Sequence, residues 1–142
     1  MKNMDKNQVA SLLDEVATLL ELKEGSSPFE VRAYQNAARS VSALDGDIEQ
    51  LTRTGKLKGV PGLGSTITKR IEELIDTGHM ALYDELVATT PAIKLDMLRI
   101  QGVGPKKVNA IYDQLHVTSI ADLEQACKDS IKVAFVTGLQ DI

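Results

Sequence analysis

The chain has 142 residues, 43% of them hydrophobic, which is enough for one domain or two small ones and excludes a separate large catalytic domain. Sixteen basic and twenty acidic residues give a net charge of -4, so any nucleic-acid site must be local rather than a product of overall charge. A single cysteine, Cys127, excludes an internal disulfide, and no apolar run approaches the ~18 residues of a membrane span, so we expect a cytoplasmic protein without a membrane partner.

Two helices are predicted before residue 45. The first is marked by an apolar stripe at helical spacing and is ended by Gly25. The second begins with Ser27 as N-cap, Pro28 in the first turn and Glu30 completing a capping box, and it runs to about Ser42. The stripe of the first helix consists of Val9, Leu12, Leu13, Val16, Leu19 and Leu20.

The middle of the chain is predicted to alternate helices with glycine-rich turns. A short helix fits residues 45–52, and residues 55–64, with four glycines and a proline, predict a compact turn region. A helix over 65–77 ends at Gly78, which favours the left-handed conformation of a C-cap, and a short helix follows at 82–86. Thr89-Thr90-Pro91 then breaks the chain, and we place a subdomain boundary there.

The remaining elements are also helical. A helix is predicted near residues 93–99, another from Pro105 to about Leu115, and a last one capped by Ser119 with Asp122 at its third position. No alternating pattern predicts a strand longer than a few residues. The expected fold is therefore all-α, a small helical bundle in two subdomains.

A short motif occurs twice, 40 residues apart. Val60-Pro61-Gly62-Leu63-Gly64 and Ile100-Gln101-Gly102-Val103-Gly104 share the pattern apolar-x-Gly-apolar-Gly, each between two helical segments. We expect positive φ at both glycines of each turn, with the intervening Leu63 or Val103 pointing inward. Backbone amides of the turn and the first turn of the following helix would then form an anion site, and phosphate is the expected anion.

Basic residues are concentrated around both turns. Residues 53–70 and 97–112 together contain eight of the sixteen basic groups and none of the twenty acidic groups. The two basic segments therefore coincide with the two turns that could bind phosphate through backbone amides. The alternative is that each turn is a tight connection between helices surrounded by solvated lysines. The basic groups are Arg53, Lys56, Lys58, Lys69, Arg70, Arg99, Lys106 and Lys107.

These motifs resemble helix-hairpin-helix DNA-binding motifs, and over residues 7–137 the pattern resembles the N-terminal part of bacterial family X DNA polymerases (PolX). The residues that carry the resemblance are Pro28-Phe29-Glu30-Val31-Arg32-Ala33-Tyr34, Ala37-Ala38-Arg39, Val60-Pro61-Gly62-Leu63-Gly64, Thr77-Gly78 and Gly102-Val103-Gly104-Pro105-Lys106-Lys107-Val108. The resemblance implies a lyase-type helical domain over residues 1–88 and a fingers-like subdomain over residues 91–142. Because Val136-Thr137-Gly138-Leu139-Gln140 resembles a further, incomplete hairpin, we expect the chain to be a fragment of a longer polymerase.

The resemblance also implies partners and an ion. The first motif would bind the strand downstream of a gap or nick, near its 5′-phosphate, and the second the primer side. A monovalent cation, Na⁺ or K⁺, would lie between a phosphate and the hairpin carbonyls near Val60, Leu63, Ile100 and Val103, with no other cofactor. The expected protein is a nucleoid-associated monomer that binds gapped or nicked DNA.

Polymerase activity is not expected from this chain, because it has no palm domain with metal-binding aspartates, and Asp45-Gly46-Asp47 is interpreted as a turn. Animal relatives use a lysine after the first hairpin as a Schiff-base nucleophile for deoxyribose-phosphate lyase activity. That position is Arg70 here, and another lysine of the site is replaced by Thr66. Lys69 is adjacent in sequence but lies about 100° around the helix.

The main hypothesis is sequence-independent binding of DNA backbone phosphates at gaps or nicks. The alternatives are a lyase that uses the displaced Lys69 and a protein-interaction module on the same scaffold. We predict no catalytic residues and no metal held by side chains. The predicted phosphate-binding residues are Gly62, Gly64, Ser65, Gly102, Gly104, Lys58, Lys69, Arg70, Lys106, Lys107, Arg32 and Tyr34.

Overall fold

The computed structural model describes residues 4–23, 25–100, 102–115, 119–121 and 124–125. Within these residues the chain forms seven α-helices and one short 3₁₀ helix, with no strand, so the predicted all-α fold is confirmed. The α-helices are α1 (Lys6–Leu22), α2 (Pro28–Ser42), α3 (Ile48–Arg53), α4 (Ser65–Thr77), α5 (Ala81–Thr89), α6 (Ala92–Leu98) and α7 (Pro105–Leu115), and the 3₁₀ helix spans Lys56–Gly59 between α3 and α4.

The chain divides into two compact units. The first comprises Met1–Leu20 and Gly25–Val87, and the second comprises Glu21–Glu24 and Ala88–Ile142. In the first unit most of the apolar stripe of α1 and one face each of α2 and α4 are buried, and Leu13, Val16, Val41 and Ile71 are fully buried. The core of the second unit is formed by Leu22, Ile93, Met97, Val108 and Ile111. Each hairpin therefore lies on its own small core, the first in the first unit and the second in the other.

Most helix ends lie where local sequence signals predict them. Ser27 is the N-cap of α2, and its Oγ accepts a hydrogen bond from Phe29 N at 3.2 Å. The capping box is incomplete, because in the described residues the Glu30 carboxylate does not accept a bond from the Ser27 amide. Gly78 has φ of +78° and donates its N–H to Leu74 O at 2.8 Å, which ends α4 as predicted.

The turn at residues 45–47 also matches its interpretation. Gly46 has φ of +96°, and Asp47 is the N-cap of α3, with its Oδ1 accepting a hydrogen bond from Glu49 N at 3.0 Å. This carboxylate therefore caps a helix. The described residues contain no group of three or more His, Cys, Asp or Glu side chains that could hold a metal ion.

The 3₁₀ helix differs from the turn predicted for residues 55–64. Gly55, with a left-handed φ of +73°, follows the end of α3, and the next four residues then form one 3₁₀ turn. Leu57 in this turn is 1% exposed, so burial of one apolar side chain favours local helical structure despite the glycines on either side. The turn places Lys56 and Lys58 on the surface directly before the first hairpin.

Other predictions extend past the described residues. The helix predicted to begin after Ser119 lies largely outside them, and so does the incomplete hairpin at residues 136–140. None of the helices in the described ranges is long and apolar enough to cross a membrane.

A buried lysine in the second unit was not expected from the sequence. Lys94 is 5% exposed, and its Nζ donates to Leu22 O at 3.4 Å and to Asn109 Oδ1 at 3.0 Å, while lying 4.6 Å from the centre of the Tyr112 ring. Asn109 Nδ2 donates to Glu21 O at 3.2 Å. Lys94 and Asn109 thus satisfy carbonyls at the C-terminal end of α1, which the helix itself leaves without partners.

Candidate nucleic-acid interface

The first hairpin joins the 3₁₀ helix to α4. Gly62 has φ of +90°, and Leu63 N donates to Val60 O at 3.3 Å, so a tight turn reverses the chain within residues 60–63. The Leu63 side chain points inward and is only 8% exposed, as predicted. This inward leucine fixes the turn to the core of the first unit, which leaves the main chain of the turn at the surface.

The second hairpin has the same construction in the other unit. Gly102 has φ of +85°, Val103 N donates to Ile100 O at 3.1 Å, and the Val103 side chain is 8% exposed. The sequence repeat is therefore a structural repeat, with the same bond between the same two positions of the motif.

The expectation of positive φ at both glycines is wrong for the second glycine of each hairpin. Gly64 has φ of -71° and ψ of 166°, an extended conformation open to any residue, and Gly104 is likewise outside the positive-φ region. The reason is that Gly64 is the N-cap of α4, a position that requires extended backbone while its carbonyl accepts the first helical bond. Thr68 N donates to Gly64 O at 2.9 Å, and Val108 N donates to Gly104 O at 3.0 Å.

The two glycines of the first hairpin face different surroundings. A β-carbon at Gly62 would overlap Ser40 Oγ and lie 3.3 Å from Ser40 Cβ, so this glycine allows close packing of the hairpin on α2. A β-carbon at Gly64 or Gly104 would meet no atom of the described residues within 4 Å. These two glycines are required neither by backbone conformation nor by internal packing, and both are exposed.

Both hairpins present free backbone donors. In the described part of the chain, the N–H groups of Gly64, Ser65 and Thr66 have no acceptor, and the same holds for Gly104. Ser65 and Thr66 are the first two residues of α4, so the positive end of the helix dipole lies at the same place. Such a group of aligned amides favours an anion, and a phosphate oxygen is the right size and charge.

The basic side chains of the two segments are not equivalent. Arg53 pairs with Glu49 at 3.4 Å and Arg99 with Asp96 at 3.9 Å, so these two cations are partly neutralised. The five lysines have no carboxylate within 4.0 Å among the described residues, and all but the half-buried Lys107 are exposed. The sequence pattern does not separate paired from unpaired cations. These lysines are Lys56, Lys58, Lys69, Lys106 and Lys107.

Tyr34 and Arg70 form a pair under the surface of the first unit. Tyr34 is 3% exposed, and burial raises the pKa of its hydroxyl above the usual value, an effect that the adjacent, hydrogen-bonding Arg70 guanidinium partly offsets. Arg70 Nε is buried without a hydrogen-bond partner in the described residues. Tyr34 is thus a core side chain with a protonated hydroxyl, and a guanidinium rather than an amine occupies the place beside it.

Two further predicted site residues have other surroundings. The Arg32 guanidinium lies 5.8 Å from the centre of the Phe29 ring on the exposed side of α2. Lys69 lies on a different face of α4 from Arg70 and lines a pocket of about 390 Å³ together with Lys58 and Thr68. The lyase hypothesis stays a prediction. Borohydride trapping on abasic DNA, with the wild type and with Lys69→Ala, tests it.

The hairpin carbonyls are candidate ligands for the monovalent cation that the resemblance implies. Val60 O and Ile100 O each accept one hydrogen bond, from Leu63 N and Val103 N, which leaves each carbonyl a second lone pair. Oxygen atoms are the ligands that hard cations prefer. The residues present therefore fit such an ion.

Comparison with known proteins agrees with this geometry. The model of the helix-hairpin-helix domain family matches residues 4–80, more than half of the chain. The chain belongs to the helix-hairpin-helix domain family. A second family model, the SAM-like helix-hairpin-helix tandem, matches residues 94–139 and so includes the second hairpin.

One relative extends the comparison to nearly the whole chain. The DNA polymerase/3′-5′ exonuclease PolX of Bacillus subtilis is 31% identical to it over 135 residues, which is 95% of this chain and 23% of the relative. The matched region is the N-terminal part of that protein, so the chain spans about a quarter of its relative. The resemblance to the N-terminal part of a family X polymerase is confirmed, and the matches together support DNA binding by this chain.

Proposed function

We propose that this chain binds DNA independently of sequence, at gaps or nicks, through backbone phosphates bound by the amides of its two hairpins. The observation that carries the proposal is the repeated geometry: each hairpin combines an inward apolar residue, free amides and an exposed glycine that nothing internal requires. Phosphate contacts carry no sequence information. Such a site would therefore recognise the phosphates at a strand end and would not distinguish one base from another.

The lysines around each hairpin supply the long-range attraction. Lys58 and Lys69 lie beside the first hairpin, and Lys106 and Lys107 lie in the first turn of α7, directly after the second hairpin. The rest of the chain carries eight basic and all twenty acidic groups. This acidic remainder disfavours binding of DNA to other surfaces, so the attraction is restricted to the hairpins. We place the first hairpin, with Lys58 and Arg70, near the 5′-phosphate of the downstream strand, and the second on the primer side; the buried Tyr34, predicted as a phosphate-binding residue, is too deep to contact a phosphate.

The experiment is a titration of gapped DNA with and without its 5′-phosphate at several salt concentrations. The apparent affinity is expected to fall steeply with salt, with a slope of about -0.9 for each phosphate contact. The 5′-phosphate is expected to increase affinity about tenfold, the effect of one additional charge-assisted contact. Affinity that does not change with salt, or that depends on base sequence, would contradict the proposal.

The second hairpin gives a charge-reversal prediction. Replacing both Lys106 and Lys107 by Glu is expected to lower the magnitude of the salt slope by about two, because each lysine neutralises roughly one phosphate. Lys23→Glu is the matched control, since Lys23 is an exposed lysine outside both basic segments. If the chain were only a protein-interaction module, both variants would bind DNA with the same affinity as the wild type.

A monovalent cation is part of the proposal. When bound, K⁺ or Na⁺ would add a positive charge between a phosphate oxygen and the carbonyls of Val60 and Leu63, and equivalently at Ile100 and Val103. Replacing both ions by tetramethylammonium at constant ionic strength is expected to weaken DNA binding about tenfold, because that cation is too large to contact the carbonyls. Equal affinity for DNA in potassium and tetramethylammonium salts would show that no bound monovalent cation contributes to DNA binding.

A further inference from the structure

A largely buried polar network connects the two helices that flank the second hairpin. The Lys94 ammonium, on α6, donates to Asn109 Oδ1, on α7, at 3.0 Å. The same ammonium donates to Leu22 O at 3.4 Å, and Asn109 Nδ2 donates to Glu21 O at 3.2 Å. Glu21 and Leu22 belong to the second unit, so the whole network lies in the unit that contains this hairpin. It joins α6 and α7 to each other and to the same piece of main chain.

The Lys94 ammonium uses its hydrogen-bonding capacity inside the protein. Two of its N–H groups donate to the Leu22 carbonyl and the Asn109 amide oxygen, and the Tyr112 ring, centred 4.6 Å from Nζ, attracts the cation as well. Lys94 is 5% exposed and has no carboxylate within 4.0 Å among the residues that the structure describes. It therefore offers almost no surface that a phosphate could contact, unlike the lysines of the two basic segments.

Stability alone does not account for the buried charge of Lys94. An ammonium taken from water loses hydration that a carbonyl and an amide oxygen restore only in part, and apolar side chains in place of a buried polar pair are often neutral or stabilising. Hydrogen bonds are directional, whereas contacts between apolar side chains permit small shifts of one helix along another. A buried polar pair between two helices is therefore suited to fixing their register.

The register of α6 and α7 determines the conformation of the hairpin between them. Only residues 99–104 connect the two helices, so a shift of either helix would move the Gly104 amide at the start of α7. The first hairpin is held differently, by the close packing of Gly62 on α2. We propose that Lys94 and Asn109 are positioning residues, which hold the second hairpin in the conformation that binds phosphate. The inference rests on the proposed function and extends it to residues that do not contact DNA.

Lys94→Met in the full chain tests the inference, because it keeps an unbranched side chain and removes the charge and both hydrogen bonds. The affinity for gapped DNA is expected to fall about tenfold, the cost of ordering roughly one more residue on binding. The salt slope is expected to stay unchanged, since no phosphate contact is lost. Asn109→Ala, at a half-buried position, removes the bond between α6 and α7 and is expected to act in the same way. Lys23→Met is the matched control, since it removes the same charge from an exposed residue next to Leu22.

A double-mutant cycle separates positioning of one hairpin from a general loss of structure. Lys94→Met is expected to weaken DNA binding by the same factor in the wild type and in Gly64→Ala, but to have little further effect in Gly104→Ala, whose second hairpin no longer binds phosphate. The inference is overturned if Lys94→Met and Asn109→Ala bind gapped DNA like Lys23→Met, if Lys94→Met has the same effect in both glycine variants, or if urea unfolding shows that Lys94→Met and Asn109→Ala do not fold. If neither glycine variant weakens DNA binding, the proposed function itself is contradicted, and this inference with it.

Discussion

Replacing Gly64 by alanine is expected to weaken DNA binding by about tenfold or more while leaving the free energy of unfolding unchanged or slightly higher. Gly64 has an extended conformation that alanine adopts freely, and a β-carbon there would meet no described atom within 4 Å. The protein itself therefore tolerates the methyl group. The methyl group would, however, keep a phosphate from approaching the amides of Gly64 and Ser65, because it would occupy the space that the phosphate needs.

The measurement is a pair of titrations, urea unfolding and binding to gapped DNA, on the same preparations. Gly59→Ala is the matched control, since Gly59 is an exposed glycine without positive φ and has no described atom within 4 Å of its β-carbon position. It precedes the hairpin and is expected to bind DNA like the wild type. A Gly64→Ala variant that binds DNA as tightly as Gly59→Ala would show that the amides of this hairpin do not contact phosphate.

Replacing Gly62 by alanine is expected to lower the free energy of unfolding by about 2–4 kcal/mol. Two costs combine here: a φ of +90°, which strains alanine by about 1–2 kcal/mol, and overlap of the new methyl group with Ser40 Oγ on α2. DNA binding is expected to fall as well, because the hairpin loses the packing that holds it on α2.

Gly46→Ala separates the two costs. Gly46 has φ of +96°, and a β-carbon there would meet no described atom within 4 Å, so this variant carries only the conformational strain. Urea unfolding should therefore rank Gly62→Ala as the less stable of the two. Equal destabilisation of both variants would mean that the contact with Ser40 contributes nothing to stability.

The sequence predicts those parts of the fold that local chemistry decides. The bounds of α4 and α7 follow from sequence because Gly64 and Gly78 delimit one helix and Pro105 begins the other. The inward orientation of Leu63 follows from its apolar character between two exposed glycines. In each case the deciding interaction lies within a few residues of the chain.

Two of the features that the sequence did not predict, the packing of Gly62 and the burial of Lys94, depend on residues distant along the chain. The conformational difference between Gly62 and Gly64 arises because one packs on Ser40 of α2 and the other caps α4. Burial of Lys94 arises because its partners are the Leu22 carbonyl at the end of α1, 72 residues earlier in the chain, and the Asn109 side chain on α7. The buried hydroxyl of Thr68, which has no hydrogen-bond partner in the described residues, gives no signal in sequence, since threonine is ordinary on any helix.

The most direct measurement of the central claim is the response of the backbone amide resonances of the hairpins to DNA. In a titration with gapped duplex, the ¹H–¹⁵N signals of Gly64, Ser65, Thr66 and Gly104 are expected to shift together, to saturate, and to return when salt is added, because their N–H groups gain a phosphate acceptor. Unchanged signals from these four amides in a sample that has bound DNA, with shifts confined to other surfaces, would contradict the account.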